Sequence, residues 1–351
     1  MGCRTAARGQ RTKGETPLKN ILVMATGGTI ASLPQEDGLA PGLTGEELVE
    51  RVPLIDQLCH IDVVQPMNID STNMRPRDWM RIADGLAERY DDYDGFVVLH
   101  GTDTMAYTAA ALSYLLQGGS KPIVLTGSQQ PMAAPFTDAR LNLYQSLLVA
   151  TDDAACDVCV VFGGKVIAGT RAHKQRTMSY NAFVSMNFPT LAYVRGDRVL
   201  WSGGRPPREK NVPWRRYRAM DDRVIVLRLT PEFRPQIFSL LKDDYDAIIL
   251  ETFGIGGIPD YDDGAFRRAI FDWVDSGRTL VLTTQVPEEG LDLGVYEVGR
   301  AYSNHPGILK GADMSTEALV AKTMWALGQS KDPDRVCELF LRPVNHDRAE
   351  P

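Results

Sequence analysis

The chain has 351 residues, of which 44% are hydrophobic and 24% charged, with a net charge of -7. That length leaves room for two domains with separate cores. The acidic balance argues against a general binder of nucleic acid or of anionic membranes. No apolar stretch approaches the roughly 18 residues a membrane-spanning helix needs. The first 19 residues are basic (Arg4, Arg8, Arg11, Lys13, Lys19) and lack the apolar segment of a secretory signal, so they read as a disordered extension of a cytoplasmic protein. Met1-Gly2-Cys3 hints at myristoylation, but Ala6 stands where that motif wants Ser or Thr. Five cysteines, an odd number, form no disulfide framework. Cys156-Asp157-Val158-Cys159 runs directly into a strand and has no second pair, so neither redox nor zinc chemistry is expected there.

In chain order, the pattern predicts a strand over 20–26, a polar loop from Leu33 to Gly42, and helices near 44–52 and over Arg77–Tyr90. A strand over 95–100 leads into a helix from Thr104 to Gln117, stopped by Gly118-Gly119. Strand 122–126, helix 137–150 and strand 157–162 follow. Trp201 to Trp214 is rich in Gly, Pro and Arg and reads as a linker. Beyond it come strand 224–227, helix 231–242, strand 247–253, helix 263–276, strand 279–284 and helices near 315–328 and 332–341. The division is a catalytic α/β domain over 20–200, a linker over 201–220 and a smaller α/β domain over 221–345. Runs apolar on both faces, alternating with helices, imply mostly parallel sheets.

Five of these runs end in glycine: at Gly27, Gly101, Gly127, Gly163 and Gly254. Ligands of open α/β sheets bind outside the carboxyl ends of the strands, where glycine permits close approach. Gly27-Gly28-Thr29 and Gly101-Thr102-Asp103 place hydroxyls and a carboxylate there. The plainer reading of Thr29 is a helix cap or turn hydroxyl, and of Asp103 a cap for the next helix. Neither the Walker nor the dinucleotide glycine pattern is present, which weakens a nucleotide site. His100 has no second histidine at ligand spacing and reads as structural. Gly169 to Arg176 is a cationic stretch that is either solvated surface or the source of a lysine for a threonine hydroxyl. Two threonines, a carboxylate and a lysine at converging strand ends make a set for acyl transfer.

Ala25-Thr26-Gly27-Gly28-Thr29-Ile30-Ala31-Ser32 and Gly95 to Met105, centred on His100-Gly101-Thr102-Asp103-Thr104, resemble the two signatures of the bacterial-type L-asparaginases, in the cytoplasmic type I branch. The likeness runs from about Asn20 to about Arg342. It implies that Thr29 attacks the side-chain amide of L-asparagine to form a β-aspartyl ester, and that Thr102, Asp103 and Lys174 form a second catalytic group. Lys174 matches the family's lysine better than Lys165 does. Asp103 would also hold the substrate's α-amino group and Ser71, with Thr72 beside it, the α-carboxylate. Backbone at Gly101-Thr102 and Gly127-Ser128 would cradle the amide. No metal or organic cofactor is implied, and a homodimer or homotetramer is. One departure stands out: Leu39 occupies the place of the tyrosine that in well-known members bonds the nucleophile. A glutaminase-asparaginase of mixed specificity, an amidotransferase ammonia source and a phosphate-binding module are the alternatives.

Overall fold

A computed structural model describes residues 17–35, 38–41, 44–53, 55–203, 213–294, 302, 305 and 307–349, with the backbone alone over 31–41. Eight strands form the main sheet: β1 (Asn20–Ala25), β2 (His60–Val64), β3 (Gly95–Leu99), β4 (Ile123–Thr126), β5 (Val158–Phe162), β6 (Lys165–Ala168), β7 (Ala192–Arg195) and β8 (Arg198–Trp201). Their order is β8-β7-β6-β5-β4-β3-β1-β2. The five strands from β5 to β2 are mutually parallel, and the β6–β8 end is antiparallel. β1, β3, β4 and β5 are buried almost throughout, as doubly covered strands must be. The strand order reverses at β1, which has β2 on one side and β3 on the other. Such a reversal opens a crevice beyond the strands' carboxyl ends.

Among the helices, α1 is Gly45–Glu50, α2 Pro76–Ala87, α3 Met105–Leu115 and α4 Ala139–Ala150. Every residue of α3 except Tyr107 is buried. It packs against the main sheet on one side and along a helix of the second domain on the other. A helix covered on both sides carries no polar stripe.

The second sheet is wholly parallel: β9 (Val224–Arg228), β10 (Ala247–Thr252), β11 (Thr279–Thr284) and β12 (Ile308–Lys310). With it go α5 (Ile237–Leu240), α6 (Ala265–Asp275), α7 (Thr316–Gln329) and α8 (Pro333–Leu341). α7 is the helix that lies along α3, and the core continues unbroken from Leu112 and Leu115 to Ala318 and Trp325. Residues 342–349 then return to the first domain. Asn345 donates to Ser113 Oγ and to the Val158 carbonyl, and its own carbonyl accepts from Thr170. Asp347, fully buried, accepts from Lys322 at 2.5 Å and from Tyr114 at 3.0 Å. Burial pulls the Lys322 ammonium down to about 8, with Asp347 opposing that shift.

Three readings change. The helix expected over 231–242 is helical only at Ile237–Leu240, because Glu232 adopts a φ of +63° and Pro235 interrupts the run. β2 went unread because its residues are half-exposed at a sheet edge and lack a continuous apolar run. The polar stretch Leu33–Gly42 contains a hairpin, Ser32–Gln35 against Gly38–Pro41, with Leu39 opposite Pro34. The side chain of Leu39 lies outside the described residues, as does the 204–212 part of the linker expected over 201–220. Cys159 is buried and Cys156 half-buried, and both remain thiols, outside any disulfide.

Candidate active site

β1 and β3 deliver two signatures to one point. After β1, the Thr26 hydroxyl bonds the Leu99 carbonyl at 2.8 Å, tying the two strand ends together. Gly27 and Gly28 then take φ values of +107° and +86°, which turn the chain into the short helical turn Thr29–Ala31. A side chain at Gly28 would sit 2.4 Å from the Gly101 Cα, so the two glycines are in backbone contact. Thr29 and Thr102 each follow one of these two glycines directly in the chain. Ile30, fully buried with Leu48 and Met132, anchors the turn that carries Thr29.

Thr102 is 5% exposed. Its hydroxyl accepts from Lys174 Nζ at 2.7 Å, and the same ammonium donates to Asp103 Oδ1 at 2.6 Å. The Asp103 side chain is 57% exposed, so one carboxylate face stays open to the crevice. Thr102 in turn donates to Gln129 Oε1 at 3.2 Å. The Gln129 amide nitrogen faces the Arg176 and Ser179 carbonyls, which sets the orientation of the amide. Asp138 holds the backbone of Gln129 and Gln130, and Asn142 bonds both Asp138 and the Gly127 carbonyl. Gln129 was not singled out from the sequence, although it directly follows the Gly127-Ser128 strand end.

Ser71 is buried against Gly101, whose absent Cβ would lie 2.5 Å from its Oγ. Its carbonyl accepts from Thr104 at 2.7 Å, docking the Ser71–Asn73 turn on the second signature. Thr72 is exposed, and its hydroxyl donates to Asp70. The Ser128 hydroxyl donates to the Gln130 carbonyl. Lys165 lies elsewhere, bonded to Asn181 at 2.6 Å and to the Phe183 carbonyl. The structure therefore brings Lys174, and not Lys165, to Thr102.

His100 is fully buried. It faces the Gly101 carbonyl through Nδ1 and Thr108 through Nε2, and burial pulls its imidazole down to about 4. A carbonyl accepts only, so Nδ1 carries the proton and Nε2 accepts from the Thr108 hydroxyl. The histidine is a neutral brace under the Gly101 backbone. No group of three or more His, Cys, Asp or Glu that could hold a metal exists among the described residues.

Comparison with known families settles the kinship. Residues 20–206 match the N-terminal asparaginase domain, and residues 223–340 the glutaminase/asparaginase C-terminal domain. The chain belongs to the asparaginase family. It is 36% identical to an L-asparaginase of Thermococcus kodakarensis over 92% of this chain and 97% of that one. The solved structure of the thermostable L-asparaginase from that organism superposes with a TM-score of 0.88, at 35% identity, covering 95% of this chain and all of the other. L-asparaginase 1 of Escherichia coli is 33% identical over 91% of this chain and 94% of its own. A glutamyl-tRNA(Gln) amidotransferase component of Metallosphaera sedula is also 33% identical, over 92% of this chain and 75% of its own. Among the described residues, no helix is long and apolar enough to cross a membrane.

Proposed function

We propose that this asparaginase-family chain hydrolyses L-asparagine to L-aspartate and ammonia, with Thr29 as nucleophile. The observation that supports this reading is the hydrogen bond from Lys174 to Thr102, set beside the Gly28–Gly101 contact one residue before Thr29. Thr29 Oγ adds to the amide carbon and its proton leaves to a base. The tetrahedral intermediate expels ammonia, and water then cleaves the β-aspartyl ester. A hydroxyl that accepts from an ammonium is a stronger proton donor. Thr102 can therefore protonate the departing nitrogen while Lys174 stabilises the oxygen left behind. The open face of Asp103 suits the substrate's α-ammonium, and Ser71 and the Gly101 backbone suit its α-carboxylate.

The expected partners are this small amino acid and a second copy of the chain, as a homodimer or homotetramer working in the cytoplasm. Phe136, Met178 and Tyr180 are exposed close to Gln129, an apolar rim suited to a neighbouring subunit. Ammonia release from asparagine and from glutamine tests the reading through the two kcat/KM values. Equal values would favour the mixed glutaminase-asparaginase. Turnover of neither, with nucleotide binding by calorimetry, would overturn it in favour of a phosphate-binding module. The likeness to an amidotransferase component keeps ammonia supply as a second reading. Asparagine turnover by the isolated chain, without a partner, counts against that role.

A further inference from the structure

Three residues leading into Lys174 are each fastened to the second domain. The Thr170 carbonyl accepts from the Ser315 hydroxyl at 3.2 Å. Arg171, with no exposed surface, donates to the Asp313 carbonyl at 2.9 Å and lies 3.0 Å from its carboxylate. His173 Nδ1 meets Glu317 Oε1 at 2.8 Å. The strand Ala172–Lys174 alternates, as strands do: His173 engages the first turn of α7, and Lys174 engages Thr102 and Asp103 on the other side.

We propose that the His173–Glu317 pair is a positioning device, through which the second domain of the same chain holds Lys174 at hydrogen-bonding distance from Thr102. This deepens the catalytic reading of Lys174 and rests on it.

Glu317 has an 8% exposed side chain, and its second oxygen has no hydrogen-bond partner among the described residues. His173 is therefore the side chain that compensates this carboxylate. The pairing is geometrically tight because α7 is braced at its start. Ser315 caps it through the Ala318 N–H, and Thr316 donates to Glu251, itself paired with Arg228. Burial raises the hydroxyl of Tyr107, on α3, to about 12, and the charges of Glu317 and Glu251 push it the same way, so it stays neutral. The hydrogen bond to Glu317 holds the His173 imidazolium above the usual histidine range, with its partial burial opposing. A lysine has four rotatable bonds. Fixing its Cα against a rigid helix is what keeps its ammonium on one hydroxyl.

The test is steady-state kinetics on the full chain, with thermal stability recorded for each variant. His173→Ala is expected to lower kcat for asparagine about tenfold, roughly the loss of one positioning hydrogen bond, with KM within about twofold. His173→Asn places an amide nitrogen where Nδ1 sits and is expected to recover most of the loss. A purely structural pair would lower the melting temperature and leave kcat intact well below it. Wild-type kcat in His173→Ala, with Lys174→Met inactive, overturns this inference alone. An active Lys174→Met overturns the catalytic reading beneath it.

Should His173→Ala not fold, Glu317→Gln keeps volume and acceptor while removing the charge. The wild-type advantage in kcat over Glu317→Gln is then expected to be largest below about pH 6.5, the ordinary value for histidine. It should fade as pH rises through the raised value of His173. A ratio that does not change with pH overturns the proposal.

Discussion

Both sheets send parallel strands into glycine, yet the two strand ends are built differently. After β1, Gly28 is pressed against the Gly101 backbone at a φ of +86°. After β10, Gly254 also has a positive φ, +48°, but a side chain added there would meet nothing within 4 Å. The hydroxyls diverge in the same way. Thr252 of β10 bonds the Thr283 carbonyl within its own sheet, as Thr26 and Thr126 do in the main sheet. Thr102, one residue past its glycine, escapes that pairing and meets a lysine instead. A glycine at a strand end thus marks a site where two such ends touch. Where it stands alone, it marks only a turn.

The sharpest division is expected among hydroxyls. Thr29→Ala and Thr102→Val should each cut kcat by about 10³-fold or more with the fold intact, the scale seen when a group acting in the transition state is removed. Thr252→Val should cost about 1 kcal/mol of stability and leave kcat unchanged. Ammonia-release kinetics together with melting curves decide this. If Thr29→Ala kept more than about a tenth of wild-type turnover, the nucleophile would be another residue.

The two lysines sharpen the contrast within the first domain. Lys174→Met should lose at least about 10²-fold in kcat, within the range of general acid–base contributions. Lys165→Met releases Asn181 and the Phe183 carbonyl and should stay within about twofold of wild type. The reverse ranking in the same assay would show that the Asn181 neighbourhood, and not Thr102, is where the chemistry happens.

Gly28→Ala and Gly254→Ala test the glycines directly. The first needs the Gly101 backbone to move as well as a strained φ, so turnover should fall by at least about tenfold alongside several kcal/mol of stability. The second meets open space and should cost only the left-handed strain, about 1 kcal/mol. Equal melting temperatures for the two variants would contradict the close approach.

The effect that leaves turnover out altogether is electrostatic. His100 is held neutral down to about pH 4, whereas in the unfolded chain it binds a proton near pH 6.5. Between those values the unfolded state takes up the extra proton, so stability falls as pH drops and is regained as pH rises. His100→Gln should flatten that part of the pH–stability curve, measured by denaturant unfolding from pH 4 to 7. An unchanged slope would mean that other groups carry the acid sensitivity.

Much of this contrast was legible in the residues. The buried strands β1, β3, β4, β5, β10 and β11 each carry a continuous apolar run, and the two signatures fall at the ends of β1 and β3. The match of Lys174 came from motif likeness and agrees with its contact with Thr102. Spacing alone could not separate it from Lys165, because the choice depends on how a short hairpin, Ala172–Lys174 with Phe183–Ser185, folds back over α3. Gln129 and Glu317 were invisible for a similar reason. Their partners lie 27 and 144 residues away, and no local pattern encodes a contact that tertiary packing makes. β2 and the β7–β8 hairpin escaped because they lie at the two ends of the sheet and turn alternate side chains outward, so none of them is a continuous apolar run.

The return of residues 342–349 gives the molecule a direction in time. Arg171, three residues before Lys174, donates to the carbonyl of His346, 175 residues later. At synthesis rates of roughly 5–20 residues per second, that partner emerges about 9–35 s after the segment it secures. During that interval the residues of both signatures and of the first sheet are already synthesised, but the segment carrying Lys174 lacks its fastening. A nascent chain should therefore hold a shaped but idle crevice, and the capacity for turnover should arrive last, with the closing of the tail.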